Sequence, residues 1–252
     1  MSDLSSLAIF FCCWAPVRIA QRLWLRPSEL IRRGRRGLGF SMVVADRAVF
    51  LALLWVIVPG DPRHALGLDS PGRFGWAGAA LLGLGGVALA MALAGILPAL
   101  VVPRLPKGSL VREAFRSGAK KAEALRALAP RSLLEYAFMM LGIVFFAAGF
   151  GEEVMYRGFL QGRFESFLPA AVAGILQTAL FGAEHYVSQG LRGAIEAFLA
   201  GSALTLVFVL TGSLAAPVIA HTLQDAVGIT ALYHASRRGK LDSVIRTSTE
   251  EQ

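Results

Sequence analysis

Three short stretches place acidic, basic and imidazole side chains inside otherwise apolar sequence. The first is Phe150-Gly151-Glu152-Glu153-Val154-Met155-Tyr156-Arg157-Gly158, which follows fifteen uncharged residues, Ala137 to Gly151. The second is Phe181-Gly182-Ala183-Glu184-His185, and the third is His221-Thr222-Leu223-Gln224-Asp225. A charge at the middle of a bilayer costs roughly 2.5–3.5 kcal/mol on insertion scales, and neighbouring groups reduce that cost. On a helix Glu153 and Arg157 are four residues apart and can pair. Glu152 then projects about 100° away and is free for other work. A carboxylate shielded from water is a base, and an imidazole can hold or polarise a water. These are residue types for hydrolysis. Glu152 is the candidate base and His185 its helper. His221 and Asp225 share a helix face and could stabilise an oxyanion, with Asp225 protonated or orienting His221. Glu153 and Arg157 would hold the site together. Glu184 reads as a residue facing a headgroup or pairing with a base, and Glu196 as one near the membrane interface. His64 and His234 sit in a loop and near a helix end.

The elements that must position these groups are membrane helices. The chain has 252 residues, 55% hydrophobic and 17% charged, with a mean hydropathy of +0.58. Soluble domains carry about 25% charged residues. Net charge is +8, yet the basic residues cluster in loops between apolar runs, which is a topology signal and excludes a nucleic-acid footprint. Cys12 and Cys13 are adjacent in an apolar run and read as packing residues. Basic residues follow the first apolar run instead of preceding it, so no cleavable signal peptide is expected.

In chain order, Leu7 to Val17 is uncharged and too short to span alone. With Arg18, Arg22 and Arg26 it reads as a helix at the interface or entering at a tilt. Ala48 to Gly60 spans only if it starts near Ser41, with Asp46 and Arg47 close to one end. Phe74 to Pro103 is thirty residues without a charge. Its small residues Gly86, Ala90 and Ala94 allow close helix packing. Further runs are Leu133 to Gly151, Ala170 to Tyr186, Gly193 to Thr211 and Leu214 to Tyr233. The expected fold is all-α, a polytopic transmembrane bundle of six to eight helices. Residues 1–40 form an N-terminal helix with a basic segment, and 41–131 two spans and a basic loop. Residues 132–235 form the catalytic core and 236–252 a polar tail, all within one membrane domain. The basic segments 18–36 and 104–131 and the tail fall on the cytoplasmic side if six spans follow residue 40, and a seventh at the N-terminus puts residue 1 outside.

The three stretches resemble the motifs of the CAAX protease and bacteriocin-processing family (CPBP, or Abi, proteins). Glu152-Glu153-x-x-x-Arg157, Phe181-x-x-x-His185 and His221-x-x-x-Asp225 carry the match, over roughly residues 130–235. Gly158-Phe159-Leu160, Gly212-Ser213-Leu214 and Pro217 fit around them, and Asp225 stands where many members have Asn. The resemblance implies an intramembrane endopeptidase in a bacterial cytoplasmic membrane, acting on a membrane-associated peptide or protein, including CAAX-type C-terminal processing, with the roles given above. Members are often labelled metalloproteases, and Glu152, His185 and His221 could bind Zn2+ as a His₂Glu set. The H-E-x-x-H signature is absent, and a metal-free glutamate mechanism uses the same residues. Two other readings use them as well: an inactive scaffold that binds a membrane partner, and an ion-coupled transporter.

Spacing makes a separate expectation. A helical hairpin turning at Leu168-Pro169 puts Glu152 and His185 at one level, each ~24 Å from the turn. A second hairpin near Gly212 puts His221 only ~13 Å from its turn, so the first turn must project ~10 Å further. The projecting segment, residues 161–165, is polar.

Overall fold

The computed structural model describes residues 3–20 and 27–250, and among them there are helices and no strand. Arg22 and Arg26 of the spaced arginines lie outside the described residues. The principal helices are α1 (Asp3–Ala20), α2 (Arg36–Ile57), α3 (Gly75–Arg104), α4 (Leu110–Ser117), α5 (Ala119–Leu128), α6 (Leu133–Glu165), α7 (Ala170–Thr211), α8 (Ala215–Arg237) and α9 (Leu241–Glu250). Four helices, α2, α3, α6 and α7, are long and apolar enough to cross a membrane, which fits an integral membrane protein. α8 has 23 residues but carries His221, Gln224 and Asp225 within its apolar run.

α7 is two helices joined at Gly190, whose φ of 72° and ψ of −170° leave the helical region. Only glycine adopts that backbone without strain. The two arms fold back on each other. Thr178 bonds Thr205 at 2.8 Å, and a Cβ on Gly182 would meet Phe198. Turns therefore fall at 166–169, at Gly190 and at Gly212, and α6, the two arms of α7 and α8 run alternately up and down.

One end of the bundle gathers the basic segments. Arg36 donates to the carbonyls of Ala127 (2.7 Å) and Ala129 (2.9 Å) and to Glu135 (2.5 Å), while Arg126 pairs with Asp242 at 2.9 Å. The far end joins Ser6 to the Ile57 carbonyl (3.0 Å) and Asp3 to Arg163. α1 thus runs lengthwise beside α2, from the far end inward, with Phe10 packed between Phe50 and Phe159. It belongs to the bundle, because its aromatic face finds an aromatic partner on both α2 and α6.

α2 corrects one expectation. Asp46 and Arg47 lie mid-helix, not near an end, because the helix begins at Arg36. The carbonyls and carboxylate around Arg36 compensate its charge and let the helix extend ten residues before Asp46.

Candidate active site

α6 holds the first motif and has an unusual backbone. Its hydrogen bonds run i→i+5 over Met139–Glu152 and again over Val154–Gln161. Wide turns of this kind are frequent at functional sites. Two glycines let neighbours touch this helix closely. A Cβ on Gly149 would lie 1.9 Å from Thr222 Oγ1 of α8, and one on Gly151 would lie 3.5 Å from the Arg47 side chain. Both α8 and α2 therefore deliver side chains against the Glu-Glu pair.

Glu153 is the hub. Its Oε1 accepts from Arg157 Nη1 at 2.9 Å and from His221 Nδ1 at 2.8 Å, and both Glu153 and Arg157 are fully buried. Arg157 also donates to the Gly201 carbonyl at 2.8 Å and lies over the Phe181 ring. Gly201 admits the guanidinium, because a Cβ there would come within 3.2 Å of Arg157 Nη2. With Nδ1 committed to Glu153, His221 turns Nε2 toward Asp225 Oδ2 at 3.6 Å. That is an ion-pair distance, too long for a hydrogen bond. The Phe181 ring lies between the two histidines, 4.8 Å from His185 and 5.9 Å from His221. His185 Nδ1 donates to the Phe181 carbonyl at 2.9 Å, which leaves Nε2 as the nitrogen with a lone pair. Asp225 lies within electrostatic reach of His221, Glu152, His185 and Glu153.

The hairpin register agrees with the spacing expectation. In an antiparallel pair, facing residue numbers add to a constant. Tyr156 meets Glu184 and Arg157 meets Phe181. Glu152 and His185 follow nearly the same register, so they lie level within about one turn. The His221–Glu153 bond requires the offset between the first and last turns; of the segment 161–165 expected to project, Gly162 and Glu165 are exposed, whereas Gln161 and Phe164 are buried.

Glu152 is not free, and this is the main departure from the sequence reading. Its Oε1 accepts from Arg47 Nη2 at 2.8 Å, and the same nitrogen reaches Glu184 Oε1 at 3.2 Å. Glu184 Oε2 in turn accepts from the Tyr156 hydroxyl. Arg47 escaped the sequence reading because its helix start was misplaced; a charge pair at mid-span was the signal that could have found it. Of the two expectations for Glu184, facing a headgroup or pairing with a basic residue, the second holds: its side chain is only 17% exposed and pairs with Arg47. Glu196 is buried too, against Arg192 (2.9 Å) and Lys121.

Among the described residues no three His, Cys, Asp or Glu side chains converge as a metal-binding group. Glu152 faces Arg47, while His185 and His221 commit Nδ1 to the Phe181 carbonyl and to Glu153 and keep Nε2.

Residues 134–227 match the family described as type II CAAX prenyl endopeptidase Rce1-like. Comparisons with curated proteins and with solved structures return no significant match. The matched segment contains Glu152, Glu153, Arg157, His185, His221 and Asp225, and leaves out Arg47. The helical core of this chain, residues 134–227, is therefore similar to the Rce1-like type II CAAX prenyl endopeptidases.

Proposed function

We propose that the protein hydrolyses a peptide bond in a membrane-associated peptide or protein, with CAAX-type C-terminal processing as the favoured form. The observation that carries this is the Glu153–His221 hydrogen bond of 2.8 Å. It ties the Glu-Glu-Arg motif to the His-Asp helix deep inside an apolar bundle, beside the ring that flanks His185. Glu152 Oε2 has no hydrogen-bond partner among the described residues and takes the proton of a water that His185 Nε2 helps to hold. The hydroxide adds to the scissile carbonyl carbon. His221, anchored at Nδ1 by Glu153, donates from Nε2 to the oxyanion, with Asp225 beside it. Glu152 then returns its proton to the leaving amine. Glu153 and Arg157 hold the two helices in register.

The site opens toward the basic end, the cytoplasmic side in a bacterial inner membrane. Along α8 in that direction, side-chain exposure rises from 7% at His221 to 38% at Asp225. Water activation without a metal fits the residues as they are arranged, and Zn2+ binding would need Glu152 to leave Arg47.

The test is cleavage by purified variants in lipid. Glu152→Ala and His185→Ala each lower turnover about 10²–10⁴-fold while the protein still inserts. Peptides trapped by Glu152→Ala and processed by the active enzyme identify the substrate. Unchanged function in Glu152→Ala would point to a scaffold, and dependence on an ion gradient to a transporter. A stoichiometric metal in active protein would overturn the metal-free form.

A further inference from the structure

Arg47 serves two carboxylates with one nitrogen. Nη2 faces Glu152 Oε1 at 2.8 Å and Glu184 Oε1 at 3.2 Å, while Nε and Nη1 are buried without a hydrogen-bond partner. Nη1 has only Asp46 Oδ2, at 3.7 Å. A guanidinium carries five N–H donors. Two carboxylates sharing a single nitrogen therefore reflects where they are held, not a shortage of donors.

What holds Glu184 is Tyr156, whose hydroxyl bonds Oε2 and whose ring packs edge-on against Phe181 at 5.1 Å. Tyr156 is 1% exposed. Glu184 is thereby anchored on one oxygen and pulls on Arg47 with the other. An adjacent cation makes any carboxylate a weaker base. The share of Arg47 that Glu184 takes is a share from which Glu152 is relieved, and the buried setting strengthens both pulls.

We infer that Glu184, fixed by Tyr156, is a positioning residue that draws Arg47 part-way off Glu152 and so sets the reactivity of the base. This rests on the reading of Glu152 as that base. It brings a residue from α2, outside the family-matched segment, into control of the site.

The test uses the full chain in proteoliposomes and two readouts. One is kcat and KM on a peptide that the unaltered protein cleaves. The other is labelling of Glu152 by a hydrophobic carbodiimide, read by mass spectrometry, which needs no turnover. In Glu184→Gln, kcat falls about 10–100-fold with KM nearly constant, and Glu152 labelling falls, because Arg47 turns fully to Glu152. Glu184→Asp restores part of the rate. Tyr156→Phe, which removes one hydroxyl, moves both readouts the same way by less. Arg47→Met raises Glu152 labelling, and Arg47→Lys keeps it near the original level. Unchanged kcat and labelling in both Glu184→Gln and Tyr156→Phe, with unfolding temperatures like the parent, would overturn the inference. So would a loss in Glu184→Gln as complete as in Glu152→Ala, which would make Glu184 a reacting group. If the unaltered protein cleaves no peptide, the endopeptidase reading fails, and the labelling pattern still decides the roles of Arg47 and Glu184.

Discussion

The bundle builds the same device twice. Glu153–Arg157 on α6 and Arg192–Glu196 on α7 are both i, i+4 pairs at 2.9 Å. In each, the guanidinium lies over a phenylalanine ring, Phe181 at 5.0 Å and Phe115 at 4.9 Å. In each it also donates to a carbonyl of another element, Gly201 at 2.8 Å and Phe115 at 3.2 Å. In each the glutamate receives one more basic group, His221 in the first and Lys121 in the second. The third partner separates them. The imidazole has a second nitrogen, which passes the contact on toward Asp225. The ammonium belongs to α5 and ends the chain of contacts there. Depth separates them as well: the first pair is 0% exposed at both members, and the second is 4% and 11%. One pair joins α6 to α8 inside a candidate active site; the other fastens the surface helices α4 and α5 to the turn at Gly190.

Four substitutions would break or sharpen this contrast. Arg157→Ala leaves the buried Glu153 carboxylate with His221 alone and lowers stability by about 3–5 kcal/mol. Thermal unfolding of the purified protein reads it, and an unfolding temperature like the parent would mean the pair is not the keystone. His221→Ala lowers turnover about 10²–10⁴-fold on the proposed mechanism, with a smaller stability change than Arg157→Ala. Equal losses of rate and stability in that variant would assign His221 to structure. Arg192→Ala removes charged hydrogen bonds at the other pair and costs about 1.5–3 kcal/mol. Turnover per folded molecule stays near the parent value; a drop like that of His221→Ala would erase the distinction between the two sites. Gly190→Ala puts a side chain on a backbone with φ of 72°, which costs about 1–2 kcal/mol and is read by the same unfolding assay. An unchanged unfolding temperature would show that the turn relaxes.

Much of the core was legible in the sequence because it is local. The Glu153–Arg157 spacing, the turn at Pro169 and the common level of Glu152 and His185 all follow from helical rise and from which residues end helices. The break near Gly190 was legible as the gap between the apolar runs 170–186 and 193–211, and the contact of Thr178 with Thr205 shows the return. Arg47 was missed for a long-range reason. The start of α2 depends on Arg36 being neutralised by the carbonyls of Ala127 and Ala129, about ninety residues away.

By itself the sequence determined that this is a helical membrane protein, that its chemistry-bearing residues lie in three stretches, and that Glu153 and Arg157 form a pair. Composition and short-range spacing carry that information, because burying a charge in an apolar helix demands a nearby partner. Tertiary structure alone decided what each carboxylate faces. Glu152 and Glu153 are neighbours in sequence, yet one turns to Arg47 on α2 and the other to His221 on α8. Ion pairs between helices depend on which faces pack together, and the close approaches at Gly149 and Gly151 settle that choice.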